Sequence, residues 1–123
     1  MTAPEIAVGA AAAYFLGFGT AFVFRPQLAD QLGLSWVNAA GRTEVRCYYG
    51  AVSWALAGFL GYLLANHHPV LALTGVLMLA TAVLVTRVVG TTVDKGWGEK
   101  YTKLAVPIET AFVLALGAVR LFS

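Results

Sequence analysis

The chain has 123 residues, of which 59% are hydrophobic and 11% charged, with a formal net charge of +2. So small a charge gives no footprint for nucleic acid. Four apolar runs with their connections use the whole length, which leaves no room for a separate soluble domain.

Residues 6–24 carry no charged side chain, and neither do 47–66 nor 70–86; the run 104–119 is interrupted only by Glu109. A hydrocarbon core about 30 Å thick is crossed by about 20 apolar residues of helix. Backbone polar groups in lipid must be satisfied within the segment, so the choice lies between helices and a closed barrel. Barrel strands would alternate in polarity; these runs are apolar throughout and predict helices. The predicted spans are about 6–24, 45–65, 70–93 and 103–122.

Span one follows Glu5, with no basic residue before it. It is therefore read as a retained span rather than a secretory signal. Gly9, Ala13, Gly17 and Ala21 recur every four residues, a stripe that would let another helix approach closely. Arg25 and Pro26 follow. In 26–34, Leu28, Leu32 and Leu34 are interleaved with Gln27, Asp30 and Gln31, which predicts a short interfacial helix. Trp36 suits the aromatic belt, and 35–42 reads as a polar turn.

Span two opens near Thr43, a suitable N-cap, with Glu44 in the first turn where a negative charge favours the helix dipole. Arg46, Tyr49, Gly50, Ser53 and Ala57 share one polar or small face, with Leu56 and Leu63 on the lipid side. A tight turn at 66–69 contains His67 and His68. The pair has no further ligand at metal spacing, so no metal site is predicted. In span three, Arg87, Gly90, Thr91 and Asp94 fall on one face. The loop 94–103 carries Gly96, Gly98, Trp97 and Tyr101, and span four has Pro107 near its start. Cys47 is the sole cysteine, so no intrachain disulfide can form.

Lys and Arg counts in short loops set orientation. Arg25, Arg42 and Arg46 cluster around the first connection and Lys95, Lys100 and Lys103 around the last, against Arg120 alone on the other side. Loops 25–44 and 94–103 are thus expected in the cytoplasm, with both termini outside. The expected fold is all-α and polytopic: an antiparallel four-transmembrane-helix bundle with a short interfacial helix between spans one and two. Arg25 and Arg87 late in their spans, with Glu44 and Glu109 early in theirs, hint at an internal repeat.

The same topology brings Arg46, Arg87 and Glu109 to one end. Arg87 lies seven residues before Asp94, so about 10 Å inward, and Glu109 six residues beyond Lys103, so about 9 Å. A lone charge at such depth costs at least about 2.5–3.5 kcal/mol. Glu109 is therefore expected to pair with Arg46, Arg87 or both, the planar guanidinium being suited to a carboxylate. Either arginine could instead extend its head to the phosphates. Tyr49 is placed in the same cavity, with Glu44 and Asp94 at its mouth. This assigns Glu109 and Tyr49 as candidate catalytic residues and Arg46, Arg87, Glu44 and Asp94 as candidate ligand contacts. Ser53 has no histidine nearby to act as its base, and no phosphate loop or dinucleotide fingerprint is present.

Thr43–Glu44–Val45–Arg46–Cys47–Tyr48–Tyr49–Gly50 resembles the N-E-x-R-x-x-Y-G opening of span two in a family of small four-span bacterial membrane proteins to which no activity is attached. Arg87–Val88–Val89–Gly90, then Asp94, Gly96 and Glu109, resembles that family's later R-x-x-G…D-G…E pattern. Thr43 stands where the family has Asn, and Lys95 separates the Asp-Gly pair. The resemblance implies a four-helix integral protein of the bacterial inner (plasma) membrane. It supplies no cofactor, and the residues identify none.

Three classes of function remain open at this level. The first is a bundle whose cavity, open toward the cytoplasm, binds a small anionic or amphipathic ligand, with acid–base chemistry on a lipophilic substrate as an option. The second is an accessory subunit of a larger membrane complex, and the third a transporter. Four spans would need a homo-oligomer to form a pore, and no ionisable residue sits at mid-membrane, where transporters place their sites. The expected partners are thus the lipid bilayer, a lipophilic small molecule, and a homo-oligomer or larger complex, without nucleic acid.

Overall fold

The computed structural model describes the whole chain, Met1–Ser123. It is all-α and contains no strand. Helix α1 covers Ala3–Phe24 and is followed by a 3-10 helix at Pro26–Leu32; α2 covers Ala39–Val45, α3 Val52–Ala65, α4 Pro69–Val93 and α5 Lys100–Leu121. Between α2 and α3 the backbone keeps its helical path through a π-helical turn, Arg46–Ala51, so that Ala39–Ala65 is one continuous helix of 27 residues. That helix, α1, α4 and α5 are each long and apolar enough to cross a membrane.

Val8–His67 forms one compact unit, and His68–Ser123 with Met1–Ala7 forms the other. In the first unit α1 runs antiparallel to the Ala39–Ala65 helix. Contact is closest where Gly19 faces Gly50: a Cβ added at Gly19 would lie 2.7 Å from the Gly50 carbonyl oxygen and 2.7 Å from Trp54 Cδ1. Small residues allow this approach, but not through the predicted stripe. Ala13 and Gly17 are exposed, and a Cβ at Gly9 or Gly17 would meet nothing within 4 Å. The buried residues of α1 are Val8, Ala11, Gly19 and Phe22. Trp54 Nε1 donates to Thr20 Oγ1 at 3.0 Å, adding a polar link between the same two helices.

The short helix predicted within 26–34 is present as a 3-10 helix. Its three-residue period stacks i and i+3 on one face, and that face carries Pro26 and Ala29, both buried. Phe22, Ala29 and Val45 form a small core against Leu28, Leu32, Leu34, Trp36 and Tyr49. The segment ends at Gly33, whose φ of 79° is left-handed and is reached at no steric cost only without a side chain.

Span two begins earlier than predicted. Asn38, not Thr43, caps it, its side chain accepting from the Gly41 amide at 3.2 Å; Thr43 lies inside the helix. An Asx side chain at that position satisfies an amide that has no partner within the helix. On the Arg46–Tyr49–Gly50–Ser53 face, Gly50 and Ser53 are buried as expected, whereas Leu63, assigned to the lipid side, is also buried. Each apolar window buries little within the chain, from 22% for α1 to 11% for α5.

Candidate functional site

The second unit holds the ion pair. Arg87, on the second-last turn of α4, meets Glu109, on the third turn of α5. Arg87 Nε donates to both carboxylate oxygens at 2.8 Å. The two side chains are about a quarter exposed, 26% and 24%. Tyr101, at the start of α5, lies against the guanidinium, with Cζ 5.3 Å from the ring centroid, close enough for cation–π attraction. Arg87 thus bonds Glu109 through Nε while its guanidinium carbon lies over the ring of Tyr101. From the sequence Tyr101 falls only within the loop 94–103, although it lies eight residues before Glu109, within reach of it on a shared helix.

Beside this pair α4 carries a shallow open groove of about 350 Å³, lined by Ala82, Val83, Thr86 and Arg87. Ala82, Val83 and Thr86 are exposed. The groove is therefore open along the exposed face of α4, with mainly apolar walls and one guanidinium at its end.

The other predicted site residues have contacts of their own. Arg46 and Tyr49 belong to the first unit. Arg46 Nη1 donates to the carbonyl oxygen of Val23. That oxygen is in the last turn of α1, where carbonyls lack helical donors and a cation complements the helix dipole. Tyr49 ends a row of rings: Tyr14 to Phe18 at 5.7 Å, Phe18 to Phe22 at 4.6 Å and Phe22 to Tyr49 at 5.6 Å. Arg46 and Tyr49 both sit on the π-helical turn, a rare geometry that recurs at functional sites. Glu44 is exposed, and Asp94 is exposed at the C-cap of α4. No group of three or more His, Cys, Asp or Glu is placed to hold a metal ion.

A second polar contact joins α4 to α5. Arg120 Nε donates to Thr74 Oγ1 at 2.9 Å. From the sequence Arg120 counts only toward orientation, and a threonine in an apolar run gives little signal of its own.

The chain matches no family model, no curated protein and no solved structure.

Proposed function

We propose that this chain is a multi-pass integral membrane protein that binds a small amphipathic anion at the Arg87–Glu109 pair. The observation that carries this reading is the groove of about 350 Å³ ending on Arg87. Apolar walls suit a lipophilic body, and the guanidinium suits a negative head. The Lys and Arg asymmetry supports loops 25–44 and 94–103 on the cytoplasmic side with both termini outside. The motif resemblance supports membership of the small four-span family and residence in a bacterial inner membrane.

Binding is favoured over catalysis. Both Glu109 oxygens are engaged by Arg87, which suits an anchor better than a mobile base. The low burial of each span supports a second reading, an accessory subunit whose bare helices rest on partner chains.

The test is native mass spectrometry of the protein released from nanodiscs after equilibration with a mixture of anionic amphiphiles. An adduct retained by the wild type and lost from Arg87→Gln supports the proposal. Equal retention by the variant, or no adduct at all, rejects it. Co-purification of a stoichiometric protein partner without any adduct would favour the accessory role.

A further inference from the structure

The geometry of the groove narrows the ligand class, on the premise of the binding role proposed above. We infer that the groove takes a single-chain carboxylic acid, its carboxyl against Arg87 and its chain pointing toward the bilayer midplane.

Depth is the first argument. Arg87 lies seven residues before the α4 C-cap at Asp94, about 10 Å along the axis. Ala82, at the far end of the groove, lies about 8 Å deeper still. A ligand with its head on Arg87 and its body along Val83 and Ala82 is therefore oriented like a lipid of the nearer leaflet, but set inward by about 10 Å. A phosphodiester head resists leaving the headgroup layer. A carboxyl group is small enough to descend.

Size is the second. About 350 Å³ stands near the low end of ligand sites, which run from about 300 to 1,000 Å³. That suits part of one chain. Exposure of Ala82, Val83 and Thr86 gives lateral entry from the hydrocarbon, so the ligand need never cross water.

Charge is the third. Arg87 is already paired with Glu109. A phosphate monoester would add a fixed negative charge to a neutral pair, which is costly in a medium of low dielectric. A carboxylic acid arrives from the lipid in its neutral form and brings one proton. One guanidinium, two carboxyl groups and that proton make a neutral set, held by hydrogen bonds between the two acids and Arg87. Thr86, one residue before Arg87, adds a hydroxyl on the groove wall.

The experiment measures binding to the full chain in phosphatidylcholine nanodiscs. Its probes are oleic acid, methyl oleate and oleoyl lysophosphatidic acid, which share one chain and differ in head. The expected result is saturable oleic acid binding, one per chain, weakened about tenfold or more by Arg87→Gln and by methyl esterification, the loss of a charged hydrogen bond. Val83→Trp fills the groove without touching the ion pair and is expected to weaken binding similarly. Thr74→Val, remote from the groove, is expected to retain it and so controls for altered stability. Methyl oleate binding as well as oleic acid, or oleic acid occupancy that rises without saturating, overturns the inference. Saturable lysophosphatidic acid binding without oleic acid binding also overturns it, yet leaves the amphipathic-anion reading standing. If no probe binds saturably, both fall.

Discussion

Arg120 Nε donates to Thr74 Oγ1 at 2.9 Å, and Thr74 in turn donates its own proton to the Val70 carbonyl at 2.8 Å. The threonine thus serves as acceptor across the helix pair and donor within its own helix. Thr20 does the same, taking Trp54 Nε1 at 3.0 Å and donating to the Leu16 carbonyl at 2.7 Å. Returning the hydroxyl proton to the i−4 carbonyl leaves the oxygen lone pair as an acceptor. This lets one small side chain join two apolar helices with no polar atom left bare. The Thr74 link lies toward the start of α4, and Arg87 with Glu109 toward its end, so the α4–α5 pair is fastened at both ends.

Thr74→Val removes that acceptor at nearly constant shape. Hydrogen bonds between transmembrane helices average about 0.6 kcal/mol and reach about 1.7 kcal/mol. A loss in this range is expected on thermal or denaturant unfolding in detergent, with Thr74→Ser close to wild type. Wild-type stability in Thr74→Val would show that Arg120 finds an equivalent partner elsewhere.

The Arg87–Glu109 pair is expected to contribute more, since both carboxylate oxygens accept from a charged donor. Hydrogen bonds to charged groups contribute about 1.5–3 kcal/mol, and a quarter exposure argues for the lower part of that range. Glu109→Ala and Arg87→Ala should each destabilise by about this amount. In a double-mutant cycle they should show a coupling energy above about 0.5 kcal/mol. Strict additivity would mean that each side chain acts independently, and the pair would no longer explain how two charges lie within an apolar hairpin.

The glycine contact separates two readings of α1. A methyl at Gly19 would press on backbone, the Gly50 oxygen at 2.7 Å and the Trp54 amide nitrogen at 3.1 Å, and backbone cannot swing aside. Gly19→Ala is expected to cost about 1–3 kcal/mol, as overpacking does. Gly17→Ala meets open space and should be neutral or gain up to about 1 kcal/mol of helix propensity. Similar effects at both positions would return the close approach to the stripe read from the sequence.

What was legible in the chain followed from long-range composition. Four uninterrupted apolar runs announce four helices, because lipid admits few alternatives, and two charges set at similar distances from their loop ends announce a pair. Local geometry was less visible. The start of span two was missed because Ser35–Asn38 and the first helical turn are equally polar, so the boundary rests on one Asn38 side chain bonding to Gly41. The π-helical turn at Arg46–Ala51 leaves no mark in hydropathy. The small-residue stripe failed because spacing alone does not say which of several glycine-rich faces meets a neighbour. Gly19 lies outside the four-residue stripe, and its partner Gly50 lies on another helix.

Lys95 sets up the last prediction. Its φ of 55° is left-handed, in the turn that ends α4. The Gly96 amide bonds to the Thr91 carbonyl at 2.9 Å and the Lys95 amide to the Thr92 carbonyl at 3.4 Å. That is the paired pattern in which the residue after the C-cap is left-handed and is usually glycine. Here glycine comes one position late: Lys95 takes the left-handed site and Gly96 follows. An L-residue in that conformation carries about 1–2 kcal/mol of steric cost, from which glycine is exempt. Lys95→Gly removes that cost while keeping both backbone bonds, but it also loosens the unfolded chain, which offsets part of the gain. A net stabilisation of up to about 1 kcal/mol is expected, read as a higher unfolding midpoint in detergent. Lys95→Ala, which keeps a Cβ and removes the charge, should show no such gain. If alanine stabilises as much as glycine, the effect belongs to the lysine charge and not to the backbone.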